Sequence, residues 1–154
     1  MTQLKAVISA LVLLILSATA SLAESELNIT STGLALRGVD PVSYFTKGVP
    51  EPGDFKITAV HQGAIYRFAT EENKAAFSAA PEKYLPQYGG YCAMGVKMGK
   101  KLDGDPAVFT MVSGKLYLNV APAVADMWRP EAAANIKAAD ETWATIKDKE
   151  PGAL

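Results

Sequence analysis

The chain contains a single cysteine, Cys92, so no disulfide bond within the chain can hold its fold together. A domain without such cross-links has to be stabilised by a hydrophobic core, which requires a sufficient length of chain. The 154 residues include 49% hydrophobic residues, enough to build a core of this kind. How many of them belong to the folded domain depends on the N-terminal segment.

The first 23 residues have the features of a secretory signal peptide. Lys5 supplies a positive start, an apolar run follows over residues 6–18, and residues 21–23 (SLA) match a small-x-small cleavage site. The run is shorter than the ~20 residues of a spanning helix, and no second apolar run follows. We therefore predict cleavage after Ala23, a periplasmic or secreted location, and no stable membrane insertion of the mature chain.

The predicted mature chain is one mildly acidic domain. The full chain has 15 basic and 16 acidic residues, and removal of Lys5 leaves 14 against 16, a net charge of −2. Nucleic-acid binding needs clustered positive charge, so we predict no nucleic-acid partner. The remaining length, about 130 residues, suits a single domain.

The predicted export makes the lone cysteine informative. Cysteines in oxidising compartments are usually paired in disulfides, and Cys92 has no partner within the chain. An unpaired cysteine in an exported protein indicates a reactive thiol, a bridge between chains or a metal ligand. The alternative is a buried thiol that packs as a small hydrophobic side chain. The residues alone leave these alternatives open.

Alternating apolar residues predict two β-hairpins. Residues 55–69 alternate around a Gln62-Gly63 turn, and residues 107–120 alternate around a Ser113-Gly114 turn. Helices are predicted after each hairpin, so the expected fold class is α+β. In this fold a small twisted antiparallel sheet, built from the two hairpins, carries helices packed on it.

The predicted helices begin and end at recognisable residues. Thr70 is placed to cap a helix that ends near Pro81. Towards the C-terminus, apolar residues recur at steps of three and four, as on one face of an amphipathic helix; they are Ala132, Ile136, Ala139, Trp143 and Ile146. We divide the mature chain into a flexible lead-in (24–36), one domain (37–148) and a short tail (149–154).

The glycine-rich stretch YGGYCAMGVKMGKK (88–101) places Cys92 close to Met94 and Met98. Thiolate and thioether groups are soft ligands that select monovalent copper. In an extended stretch, Cys92 and Met94 project from the same side and could share one ion, with His61 or Met111 as a third ligand. In a helix, Cys92 lies about 200° from Met94, and Cys92 could not share one metal with both methionines. Core packing is the commoner use of methionine.

Evidence for an enzyme is weak in this sequence. His61 is the one histidine, and no nucleophile-elbow, phosphate-loop or dinucleotide motif is present. A dyad of Cys92 and His61 is the remaining enzyme hypothesis. We therefore assign no catalytic residue.

Three stretches of the chain together resemble the exported proteins of the YHS domain family. They are GVDPVSYFTKG (38–48), YRFATEENKAAFSAAPEKYLPQYGGYCAMGV (66–96) and GKLYLN (114–119). The resemblance extends from about Gly38 to Trp143. It implies a small module found in or beside metal-handling proteins, with copper favoured for exported members. Many YHS modules carry cysteines where this chain has Ser43 and Ala69, so those two thiols are absent here.

The resemblance and the sulfur-rich stretch lead to one preferred hypothesis. The protein would bind monovalent copper for buffering, transfer or tolerance, with Cys92, Met94, Met98 and His61 as the metal ligands. A copper transporter or acceptor protein is then the expected partner.

Two alternatives remain besides copper binding. The first is a non-metal interaction module in which Tyr84, Tyr88 and Tyr91 line a groove and Cys92 is buried packing. The second is the thiol enzyme that uses Cys92 and His61.

Overall fold

The computed structural model describes residues 26–154, so the predicted signal peptide (1–23) lies outside the described residues. Six strands and six α-helices follow one another in this part of the chain, with single 3-10 turns between some of them. The strands are β1 (Val39–Asp40), β2 (Glu51–Pro52), β3 (Asp54–His61), β4 (Ala64–Phe68), β5 (Asp105–Val112) and β6 (Lys115–Asn119). The helices are α1 (Ser43–Thr46), α2 (Glu71–Ala79), α3 (Pro81–Tyr84), α4 (Ala93–Lys97), α5 (Pro122–Trp128) and α6 (Ala132–Ile146).

Both predicted hairpins are confirmed. β3 pairs with β4 and β5 pairs with β6, each in antiparallel register. The turn residues Gln62, Gly63, Ser113 and Gly114 all have positive φ angles. Two successive residues of this conformation form the tight turns whose twist suits a hairpin.

The predicted helices are also confirmed at their capping residue and apolar face. The Thr70 hydroxyl accepts a hydrogen bond from the Asn73 N–H at 3.1 Å, which caps α2. Ala139 and Ile146 of α6 are buried, and Ile136 and Trp143 pack beside them. Within residues 26–154, no helix combines the length and apolar character needed to cross a membrane.

The predicted α+β class is confirmed, and the strands are arranged as three separate antiparallel pairs: β1 with β2, β3 with β4, and β5 with β6. The two hairpins do not join into one sheet because other segments lie along their inner edges. Residues 86–92 run beside β6, with bridges from Pro86 to Leu116 and from Cys92 to Leu118. Residues 33–35 lie beside β4 in the same way, through a bridge from Leu34 to Ile65.

Strand β6 separates two parts of the core. Its side chains alternate in direction, as in any strand. Leu116 and Leu118 pack with Leu36 and Tyr44 on one side. Tyr117 points to the other side, into a cluster of buried aromatic and aliphatic residues from α4, α5 and α6. A third cluster surrounds the first hairpin and includes Ala35, Val42, Ala64, Tyr66, Phe68, Phe77 and Tyr84.

The described part of the predicted lead-in packs against the domain. Leu27 and Ile29 contact the cluster around the first hairpin, and Ala35 and Leu36 are buried. The Asn28 N–H donates to the Gly89 carbonyl at 2.9 Å. Leu27, Ile29, Ala35 and Leu36 therefore contribute to the core, whereas residues 30–32 are exposed.

A buried lysine holds the C-terminal end of α6. The Lys101 Nζ donates to the carbonyls of Lys147 and Lys149, at 2.6 Å each. It also lies 5.4 Å from the ring centroid of Tyr91 and 5.2 Å from that of Trp143. Burial lowers the pKa of Lys101 below its ordinary value, and nearby carboxylates partly offset this. A cation at this position complements the carbonyls at the helix end.

Asp40 joins three segments of the domain through its buried carboxylate. Its Oδ1 accepts the Val42 N–H at 2.8 Å. Its Oδ2 accepts the Ala69 N–H at 2.8 Å and the Asn73 side-chain amide at 2.7 Å. The Asp-Pro turn, the end of β4 and the first turn of α2 are thus tied to one fully buried side chain.

We predict that Asp40→Asn lowers the free energy of unfolding by about 2–4 kcal/mol, because the new amide group faces donors that lose their acceptor. Urea denaturation of both proteins measures this difference. Asp126→Asn is the matched control, since Asp126 is exposed in its ion pair with Arg129 and exposed pairs contribute about 0–1 kcal/mol. Equal losses in the two variants would contradict the role of Asp40.

Candidate functional site

Cys92 is the N-cap residue of α4, and its thiol is held inside the fold. The side chain is 1% exposed. The Sγ accepts the Gly95 N–H at 3.4 Å and lies 3.6 Å from Asn119 Oδ1, to which the thiol donates. The Cys92 N–H donates to the Leu102 carbonyl at 2.8 Å. The sulfur therefore occupies the capping position that a serine or threonine hydroxyl usually takes.

The helical form of residues 93–97 decides how the predicted sulfur ligands combine. Met94 lies about half a turn around α4 from Cys92 and packs against the aromatic cluster beside Tyr117. Met98 is the C-cap residue of α4 and is 72% exposed. The side chains of Cys92 and Met94 therefore point in different directions. This agrees with the expectation that, in a helix, Cys92 could not share one metal with both methionines.

The other two candidate ligands lie in different parts of the molecule. His61 ends β3, where its Nε2 lies 3.1 Å from Glu82 Oε1 and its ring meets Phe77 edge-on. Met111 lies on β5 and packs against the Leu116–Leu118 side of β6. The structure thus places the predicted donors in separate clusters. Among residues 26–154, no three His, Cys, Asp or Glu side chains are grouped as a metal site. Copper binding by a smaller set of these donors stays a prediction.

The hydrogen bonds of Cys92 and His61 lead to different partners. Cys92 is bonded to Gly95 and Asn119, and His61 is bonded to Glu82. A general base has to reach the nucleophile directly or through one water molecule. No hydrogen bond joins the two side chains in the described part of the chain, so the predicted dyad has no geometric support.

Asn119 is a buried polar residue that the sequence did not identify. It is fully buried at the end of β6, and its Oδ1 also accepts the Met94 N–H at 3.4 Å. Its Nδ2 has no hydrogen-bond partner among the described residues. One polar residue in a strand gives no indication of such a position, because the contact depends on how α4 packs on β6.

An open cleft of about 180 Å³ lies between the first hairpin and α6. Its walls include the aromatic rings of Tyr66, Tyr88 and Trp143 and the carboxylates of Glu26 and Glu82. Of the three tyrosines predicted to line a groove, Tyr88 lines this cleft. Tyr84 packs edge-on against Phe45, and Tyr91 packs against Trp143.

Tyr66 connects this cleft with a second cavity. Its side chain is only 3% exposed, yet it lines both the cleft and a neighbouring cavity of about 120 Å³. Within residues 26–154 its hydroxyl has no hydrogen-bond partner. Burial, and secondarily the nearby charge of Glu82, raise the pKa of Tyr66 well above its ordinary value, so the phenol is protonated. The hydroxyl oxygen still reaches solvent, so a molecule in the cleft can contact it.

Tyr88 has a strained backbone at the floor of the cleft. Its φ angle is 56°, in the left-handed region that residues with side chains rarely adopt. The next residue is Gly89, where a Cβ atom would collide with the Glu26 carbonyl. The Tyr88 hydroxyl donates to Asp140 Oδ1 at 2.8 Å, and burial together with this bond raises the pKa of Tyr88. The ring is therefore fixed in the cleft wall.

The sequence contained only part of the information needed to find this cleft. Tyr88 stood out through the tyrosine-rich stretch, whereas Tyr66 and Trp143 were predicted only as members of a strand and a helix. Glu26 and Glu82 carried no motif. These residues meet because separate segments pack together, which no local spacing can indicate.

Comparison of the chain with protein-family models, with curated proteins and with solved structures found no match. The resemblance to YHS domain proteins therefore stays a prediction.

We predict that Cys92 in the native protein reacts with a soluble thiol reagent on the order of 100-fold more slowly than in the denatured protein, because the thiol must first be uncovered by local opening. Absorbance of the released reagent group measures both rates. Met98→Cys in a Cys92→Ser background is the control, since position 98 is exposed and should react at once. Rapid reaction of native Cys92 would contradict its burial.

Proposed function

We propose that this protein is an exported, YHS-like binding module that acts without a metal and uses Cys92 as a structural side chain. The observation that carries the proposal is the aromatic cleft beside Tyr88. Ligand sites are typically concave and lined by aromatic groups with a few polar ones. The cleft is concave and is lined by three aromatic residues together with several polar ones, whereas the sulfur of Cys92 is enclosed by α4 and β6.

The surroundings of Asp40 include the two positions at which many YHS modules carry cysteines. Ser43 and Ala69, where many YHS modules carry cysteines, both contact this residue. The Ser43 hydroxyl donates to the Asp40 carbonyl at 2.7 Å, and the Ala69 N–H donates to the Asp40 carboxylate. Ser43 through its hydroxyl and Ala69 through its backbone N–H thus both lie beside Asp40. In this chain the neighbourhood contains no sulfur, and this favours a function without a metal.

Binding of monovalent copper by Cys92 is the second candidate function. It is favoured by the chemistry of an unpaired soft ligand in an exported chain. Met94 lies next to the same Asn119 oxygen as Cys92, through its backbone N–H. Met98 is exposed and His61 is bonded to Glu82. Fewer metal ligands are therefore available near Cys92 than the sequence suggested.

A competition titration with monovalent copper and a chelator distinguishes the two candidates. We expect neither the reduced wild-type protein nor Cys92→Ser to remove copper from the chelator. Serine is the suitable replacement because its hydroxyl can cap α4 in place of the thiol, so the variant should fold. Tight one-to-one binding by the wild type that is lost in Cys92→Ser would overturn the metal-free proposal. Met98→Leu would then test the exposed methionine.

Amide and indole NMR shifts test the cleft as the binding site without assuming a ligand class. We expect a mixture of neutral, anionic and cationic fragments to shift the signals of Gln87, Gly89 and the Trp143 indole, because these groups line the cleft. Gly114, in the turn of the second hairpin, serves as the internal control. Shifts that cluster at another surface, or no shifts with any fragment, would contradict this site.

A further inference from the structure

We propose that the cleft binds a small organic cation through a primary ammonium group. This inference rests on the proposed function and names the class of ligand for the same cleft. It depends on three features of the walls: their charge, their aromatic rings and the free hydroxyl of Tyr66.

The cleft has one carboxylate, Glu82, that is not paired with a lysine or arginine within residues 26–154, and a second, Glu26, that is paired with Lys147. Glu26 and Glu82 line the cleft, and the described lining residues include no lysine or arginine. The Oε1 of Glu82 accepts from His61 and Gln62, at 3.1 and 3.3 Å. Its Oε2 has no hydrogen-bond partner within residues 26–154. Glu26 is paired through one oxygen with Lys147 at 3.2 Å. Each carboxylate therefore keeps one oxygen for a further donor.

The aromatic walls favour a cation over a neutral polar group. The negative face of an aromatic ring attracts a cation within about 6 Å of its centroid. The ammonium of Lys101 already lies 5.2 Å from the Trp143 ring centroid, so a ligand cation would have to meet the aromatic surface that Lys101 leaves uncovered. Tyr88 packs against Trp143 with centroids 5.8 Å apart, and the two rings form one wall of the cleft. This wall therefore suits a positively charged ligand.

The hydroxyl of Tyr66 indicates a ligand that donates hydrogen bonds. The phenol is neutral and can accept from a donor, and the raised pKa excludes its acting as a phenolate. A primary ammonium has three N–H donors, which can be shared among the Tyr66 hydroxyl and the Glu82 and Glu26 carboxylates. A quaternary ammonium has none, so it would leave the Tyr66 hydroxyl without a partner.

The enclosed part of the cleft suits a small group. Sites for drug-sized ligands have volumes of about 300–1,000 Å³, whereas this cleft measures about 180 Å³. Leu85, Pro86 and Glu82 all line this space, and we expect a short aliphatic amine to place its chain against the first two and its ammonium near Glu82.

Binding of n-butylammonium, followed by calorimetry and by the Trp143 indole NMR shift, tests this inference. 1-Butanol is the neutral probe of the same size, butanoate is the anionic probe, and tetramethylammonium is the cation without N–H donors. We expect n-butylammonium to bind most tightly and its binding to weaken as salt is added.

Three variants identify the groups that recognise the ammonium. We expect Glu82→Gln to weaken n-butylammonium binding about tenfold and Tyr66→Phe about fivefold, since each removes one partner of a charged donor. Glu72→Gln is the matched control, because Glu72 is an exposed glutamate on α2 that is not among the cleft residues; it should leave the affinity unchanged. Thermal unfolding of each variant verifies that it is folded.

The outcomes separate this inference from the proposed function. Equal or tighter binding of 1-butanol or butanoate at the same NMR signals would overturn the ammonium class and leave the cleft as a binding site. Equal binding of tetramethylammonium would overturn the role of the N–H donors. An affinity for n-butylammonium that is insensitive to both Glu82→Gln and Tyr66→Phe would overturn the inference as a whole. If none of the four probes binds, the ammonium inference is overturned as well. The NMR experiment with the fragment mixture would still decide separately whether the cleft is a binding site.

Discussion

The buried carboxylate of Asp40 is the interaction on which the arrangement of the first half of the domain depends. A charged group inside a protein is stable only when its oxygens are hydrogen-bonded, and Asp40 receives three donors from three separate segments. Each of these donors is itself a group that would be costly to bury without a partner. The carboxylate therefore fixes the Asp-Pro turn, the end of β4 and the start of α2 relative to one another. This places Thr70 to cap α2 and directs Phe77 into the core.

Strand β6 plays the corresponding part in the second half. The apolar side chains Leu116 and Leu118 point to one side of the strand, and Tyr117 points to the other. Asn119 follows Tyr117 by two positions, so it lies on the same side and meets α4 at Cys92 and Met94. A polar residue at this depth specifies how α4 sits on the strand, because its oxygen must meet the Met94 N–H. The thiol of Cys92 then lies where water and other thiols have little access. Burial of this kind is one physical way in which an unpaired cysteine persists in an oxidising compartment.

The features predicted correctly from the sequence were those fixed by short-range chemistry. The Gln62-Gly63 and Ser113-Gly114 turns, the Thr70 cap and the apolar face of α6 depend on residues within a few positions of one another. The separation of the two hairpins could not be predicted, because residues 33–35 and 86–92 reach the strand edges only in the folded molecule. The form of the stretch around Cys92 was left open for a similar reason. Cysteine is not a usual helix cap, and Gly95 and Gly99 weaken a helix prediction, so the helical turn of α4 depends on the contacts of Cys92 with Leu102 and Asn119.

The cleft shows how strain and packing combine to form a concave surface. A left-handed residue with a side chain costs on the order of 1–3 kcal/mol, and such residues persist where the surroundings hold them in place. At Tyr88 the surroundings are the hydroxyl bond to Asp140, the contact with Tyr117 and the close approach of residue 26 to Gly89. A glycine at position 88 would adopt this positive φ angle at a lower cost in free energy, because it has no side chain. A glycine there would, however, remove the ring that faces Trp143 and closes one wall of the cleft. The strain at Tyr88 is therefore the cost of placing its aromatic ring in the wall of the cleft.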